Sequence, residues 1–174
     1  VFVWRVVDGG GAAAVTDAAT AVFGSAYISL LAGFAILLLT QDRGPLLVVT
    51  FILCAVANDV GGYAAGVLFG RHAMAPSISP KKSWEGFAGS LLLAAVVGTV
   101  MLGVVLDAEW WSGLIVGGVI VVVATLGDLA ESLLKRDLGL KDMGTLLPGH
   151  GGIMDRLDSL LMAAPAGYLL LTTF

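Results

Sequence analysis

Five apolar stretches, near residues 18–39, 46–69, 86–106, 110–134 and 155–174, constrain this chain more than any other feature. Each is long enough to cross a hydrocarbon core, which takes about 20 helical residues. Lipid offers no partner to a backbone N–H or C=O, so separate spans joined by short loops must be helices. Composition agrees: 58% of the residues are hydrophobic and only 13% charged, against about 25% in soluble domains. A soluble globular fold is excluded, and the expected class is an all-α polytopic membrane protein with about five transmembrane helices. Asp17 is the expected N-cap of the first helix, and Pro45 suits the first turn of the second. The single cysteine, Cys54, lies in an apolar run and reads as packing. A start at Val1, directly before membrane-like sequence, reads as a chain whose N-terminal membrane region is missing, and no signal peptide is apparent.

The basic residues sort by position. With these spans, Arg5, Arg71, Lys81, Lys82, Lys135, Arg136, Lys141 and Arg156 lie on or beside one side, and Arg43 lies opposite. The positive-inside rule makes the first side cytoplasmic. The opposite loop, Asp107 to Trp111, has no basic residue, and Trp110 and Trp111 suit an interfacial aromatic belt.

Acids inside the spans are expensive. Asp59, beside Asn58 near the middle of the second span, costs roughly 2.5–3.5 kcal/mol on insertion scales. Gly62, Gly66 and Gly70 then recur every fourth residue and offer a glycine face to a neighbouring helix. In the fourth span Asp128, Glu131 and Lys135 share one helical face, and at the start of the fifth Asp155 and Asp158 share another. Any one of these acids has an ordinary reading, as a pin between helices or a partner of a helix dipole. Together, Asp59, Asp128, Glu131, Asp155 and Asp158 come from three helices, and if they converge they collect hard oxygen ligands of the kind Mg²⁺ takes while substrate phosphates complete its shell.

Two basic loops flank these acids. The loop at 70–85 carries Ser77, Ser79, Lys81, Lys82 and Ser83 between and after Pro76 and Pro80, supplying cations and hydroxyl donors for a phosphate or a phospholipid headgroup. The stretch from Ser132 to Asp158 holds Lys135, Arg136, Lys141 and Asp142, then Gly149-His150-Gly151-Gly152 just before a helix start, where glycines and unpaired N–H groups favour an anion. The sequence has no cysteine nucleophile in a polar setting, no Cys/His zinc spacing and no Ser-His-Asp arrangement. Carboxylates for a divalent metal and cations for phosphate are abundant, so the inventory points to phosphoryl or nucleotidyl transfer on a membrane substrate. An ion or phosphate transporter also places acids within the membrane, and is the non-enzymatic alternative.

The run S-x-L-K-R-x4-K-D-x-G-x2-L-P-x-H-G-G-I-x-D-R-L-D, from Ser132 to Asp158, resembles the signature of the phosphatidate cytidylyltransferase (CDP-diacylglycerol synthase) family. Two further blocks agree: Asn58-Asp59 with Tyr63, Gly66 and Gly70, and Ser79-Pro80-Lys81-Lys82-Ser83-Trp84-Glu85-Gly86. Val60 and Ser83 stand where the family often has Thr, and neither change removes a charge. The resemblance implies a single transmembrane catalytic domain over 1–174 that joins CTP and phosphatidate into CDP-diacylglycerol and releases pyrophosphate. It implies Mg²⁺, with K⁺ as a second ion, held by Asp128 and Asp155 with Asp59, Glu131 and Asp158 around them. Lys81, Lys82, Lys135, Arg136, Lys141 and Arg156 would neutralise phosphates, and Asn58, Asp59, Ser79, Asp142, His150, Gly151 and Gly152 would contact substrate. It further implies a homodimer, contact with membrane lipids, no nucleic-acid partner, and a bacterial inner membrane with the basic loops cytoplasmic. A CTP-dependent lipid or polyprenol kinase is the nearest alternative chemistry.

Overall fold

The computed structural model describes residue 4 and residues 11–137 and 154–174, and of residues 12, 13 and 154–158 the backbone alone. Five long helices dominate: α1 (Ala12–Leu39), α2 (Gly44–Phe69), α3 (Trp84–Val100), α4 (Trp110–Asp137) and α5 (Met154–Leu171). Among the described residues, four segments are long and apolar enough to cross a membrane: Ala14–Leu39, Gly44–Phe69, Trp84–Val105 and Trp110–Asp137. The expected fifth span is present as a helix, but its apolar described part, Ser159–Leu171, is shorter. The chain is thus an all-α polytopic membrane protein.

Helix α1 begins earlier than its sequence suggests. Asp17 lies inside it, and Gly11 occupies the N-cap, because the Ala-rich run from Ala12 has high helix propensity and nothing in it to stop the helix. The α1–α2 turn is tight: Arg43 adopts a left-handed conformation with φ 57°, and the Gly44 N–H donates to Gln41 O at 2.9 Å. A Cβ at Gly44 would collide with the Leu39 carbonyl, so a side chain has no room there. Pro45 falls in the first turn of α2, where its missing N–H costs nothing.

The glycine face of α2 meets α3. A Cβ on Gly61 would lie 2.6 Å from Gly89 O, and one on Gly86 would lie 2.9 Å from Gly62 O, so the two backbones run in direct contact. Ser90 Oγ closes the seam by donating to Asn58 O at 2.6 Å. Helices α3 and α4 are joined the same way, Gly98 against Gly113 and Ala94 against Gly117. Both seams pair early residues of one helix with late residues of the other, so the helices alternate in direction. The end of α2, the start of α3 and the end of α4 therefore share one end of the bundle. Helix α5 completes the core, with Ala163, Ala164 and Leu171 clustered with Phe51, Cys54, Val116 and Ile120. Cys54 is fully buried there, as its packing role requires.

The segment expected as a loop at 70–85 contains a two-stranded antiparallel ribbon, β1 (Ala73–Ala75) with β2 (Ser79–Ser83). Ala73 faces Ser83 and Ala75 faces Ser79, with an irregularity between them. Pro80 sits in that irregular stretch, where its lack of an N–H is tolerated. The segment shows no apolar alternation, which is why it reads as a loop in sequence. At the opposite end α3 passes through a π-helical turn, Met101–Val105, before Asp107 at φ 54°. Trp110 and Trp111 form the first residues of α4 and are exposed at that end, as an interfacial belt requires.

Candidate functional site

The ribbon lies at the end of the bundle where α2, α3 and α4 converge, and a cavity of about 320 Å³ opens beneath it. Its wall takes Asn58 and Asp59 from α2, Ser79, Lys81 and Lys82 from the ribbon, and Asp128 from α4. All six were expected at the site from the sequence, and three separate stretches supply them. Asp59 is ten residues before the end of α2, so the cavity reaches about 15 Å along that helix at 1.5 Å per residue. The glycine seam explains how it can: with backbone against backbone at Gly61 and Gly89 and at Gly62 and Gly86, the start of α3 and the ribbon attached to it come close to Asp59.

The charges on this wall answer one another. Lys82 Nζ lies 2.5 Å from Asp128 Oδ2 and also donates to Thr125 O at 3.4 Å. Asp128 Oδ1 accepts from Ser132 Oγ at 3.4 Å. On α2, Asn58 Nδ2 donates to Asp59 Oδ1 at 3.0 Å. A carboxylate only accepts, so this contact fixes the amide orientation and turns Asn58 Oδ1 away from Asp59. That oxygen is buried and, among the described residues, has no hydrogen-bond partner.

The residues around the cavity fit a hard divalent cation in their chemistry. Two carboxylates, Asp59 and Asp128, stand on the wall with an orphaned amide oxygen beside them, and Mg²⁺ is commonly held by one or two carboxylates plus substrate phosphates. Among the described residues no group of three or more His, Cys, Asp or Glu is close enough to form a protein-only metal cage.

Other expected residues stand off the wall. Glu131 is buried and pairs with Lys135 at 3.1 Å along α4, one turn beyond Asp128. Arg136 Nη1 donates to Ser77 O at the tip of the ribbon, at 2.5 Å. Lys141, Asp142, His150, Gly151 and Gly152 lie outside the described residues, as do the side chains of Asp155, Arg156 and Asp158. The cavity also takes in residues that the sequence reading did not single out: Met74, Phe87, Ser90 and Thr125. Thr125 is one turn before Asp128 and Ser90 one turn after Gly86, so helical spacing from the named residues was the available signal.

The fold and the site together define a polytopic helical membrane protein with a mixed acid and lysine cavity at one end of its bundle. The chain belongs to the cytidylyltransferase family, whose sequence profile it matches over residues 1–174. It is 46% identical over 158 residues to the phosphatidate cytidylyltransferase of Mycobacterium bovis, covering 91% of this chain and 52% of that protein. To the protein of that name in Mycobacterium leprae it is 50% identical over 157 residues, 90% of this chain and 50% of the other. To that of Staphylococcus saprophyticus it is 39% identical over 156 residues, 89% and 59% respectively. The chain spans about half the length of the mycobacterial relatives.

Proposed function

We propose that this chain carries the catalytic part of a phosphatidate cytidylyltransferase, transferring CMP from CTP to phosphatidate with release of pyrophosphate. The observation that carries the reading is the meeting of Asp59, Asp128, Lys81 and Lys82 on one cavity wall at the end of membrane helices. Phosphates need cations, a divalent ion needs carboxylates, and a lipid substrate needs a site it can reach from the bilayer.

In this reading a phosphate oxygen of phosphatidate attacks the α-phosphorus of CTP, and the bond from that phosphorus to the pyrophosphate oxygen breaks. The nucleophile is already an anion, so no general base is assigned. Lys81 and Lys82 bind triphosphate oxygens and offset the charge that gathers on the leaving pyrophosphate. Ser79 donates to phosphate from the same strand. Asp59 and Asp128 would hold Mg²⁺, with Asp155 and Asp158 as the acids that the start of α5 adds and Glu131 behind them; when bound, the ion supplies charge neutralisation and alignment of the triphosphate. K⁺ as a second ion belongs to the same acid set. Lys135, Lys141, Asp142, His150, Gly151, Gly152 and Arg156 extend the phosphate-binding surface from the α4–α5 connection. The protein then works in a bacterial inner membrane with the ribbon end cytoplasmic, where CTP is found, and as a homodimer.

Full-length protein incubated with α-labelled CTP, phosphatidate and Mg²⁺ is expected to yield labelled CDP-diacylglycerol and pyrophosphate. Release of CDP with a phosphorylated lipid would instead identify a kinase. Treatment with EDTA is expected to abolish product formation, and added Mg²⁺ to restore it; turnover that survives chelation would remove the metal from the scheme.

A further inference from the structure

The two lysines at the cavity sit on a ribbon of three and five residues. An isolated two-stranded hairpin is marginal in water, so something else must hold this one over the cavity. Glu85, in the first turn of α3, is the first candidate. Its Oε2 accepts from the backbone N–H groups of Arg71 at 3.1 Å and His72 at 3.2 Å. Its Oε1 meets His72 Nδ1 at 2.5 Å. The Trp84 N–H adds a bond to His72 O at 3.0 Å, so both strands are tied at the base of the ribbon to the start of α3. At the other end of the ribbon, Arg136 from the last turn of α4 donates to Ser77 O.

We infer that Glu85 and Arg136 are positioning residues that clamp the ribbon at its base and its tip and so hold Lys81 and Lys82 at the cavity. Neither side chain lines the cavity. Glu85 satisfies donors that the entry to β1 would otherwise turn to water, and one carboxylate taking three donors sets the direction in which the ribbon leaves the helix. Arg136 uses the same helix that presents Asp128, so the tip and the carboxylate that Lys82 meets are fixed to one rigid element. This assigns Arg136 a grip on the protein's own backbone in place of direct phosphate contact. The inference rests on the reading of Lys81 and Lys82 as triphosphate ligands.

The test uses full-length protein in nanodiscs, with spin labels at Ile78 on the ribbon and Leu133 on α4. Glu85→Ala is expected to broaden the distance distribution between the labels and to raise KM for CTP about tenfold, kcat changing less, since misplacing a binding group by about 1 Å is costly. Glu85→Gln, which keeps one acceptor oxygen, is expected to recover part of both effects, and Arg136→Ala to broaden the distribution with a smaller rise in KM. His72→Ala serves as the milder variant should Glu85→Ala fail to fold, and is expected to act in the same direction. Unchanged distances in the variants overturn the clamp. Broadened distances with an unchanged KM for CTP leave the clamp standing as structure but overturn its link to CTP, and with it the triphosphate role of the ribbon lysines.

Discussion

The two ends of this helix bundle both carry polar cavities, and the larger is not the one that fits the chemistry. The far cavity, about 540 Å³, is lined by Gln41, Asp42, Arg43, Asp107, Thr172 and apolar neighbours. Its charges belong to two interhelical turns, and Arg43 Nη1 spends a donor on Leu106 O at 3.2 Å, closing one turn on the other. The ribbon end has a cavity of about 320 Å³, but its charges come from within helices α2 and α4 and from a strand of the ribbon, not from the turns that join helices. Turns need polar residues to satisfy their own backbone. Acids and lysines carried on separate rigid elements into a membrane-spanning bundle have no such local reason. The elements that carry the charges, more than the volume, distinguish a candidate centre from a well-capped turn.

Substitutions at the two ends should separate accordingly. Asp128→Asn removes a carboxylate from the cavity wall and is expected to lower turnover roughly a hundredfold or more, the scale of losing one electrostatic contact to a transition state. The fold should survive, because Lys82 is partly exposed and can turn to water, and circular dichroism with a thermal melt would check it. Lys82→Met keeps the stem and removes the cation, with an expected loss of about ten- to a hundredfold in kcat/KM. Arg43→Ala, at the far end, should leave kcat/KM within about twofold, as for surface changes away from a site. A large loss of activity in Arg43→Ala, with the protein still folded, would erase the distinction between the ends.

Much of this was legible in the sequence because lipid is a demanding solvent. Apolar runs of spanning length located α1 to α4 with ends off by about six residues at most, and the glycine face of α2 announced a close neighbour. The misplaced start of α1 shows the limit: Asp17 has the chemistry of a cap, but a cap acts only where a helix must begin, and the alanines before it let the helix run on. Asn58, Asp59, Ser79, Lys81, Lys82 and Asp128 were identifiable because charge and hydrogen-bonding groups beside a bilayer need a reason. Their pairings were not. Helical spacing placed Asp128, Glu131 and Lys135 on one face of α4, yet within that face Glu131 is buried against Lys135, while Asp128 turns to a lysine 46 residues earlier in the chain. Spacing gives the face of a helix; only packing decides what each residue on it meets. Ser90 and Thr125 went unnoticed because small hydroxyl residues in membrane helices ordinarily bond their own backbone.

The central claim is that the ribbon end of the bundle is where the nucleotide binds. A cryo-electron microscopy map of the full-length protein with CTP and Mg²⁺ tests it most directly. The account predicts triphosphate density against Lys81 and Lys82, with the ion between the phosphates and the carboxylates of Asp59 and Asp128. Nucleotide density at the Arg43 and Asp107 end, with the Lys82–Asp128 pair undisturbed, would contradict it.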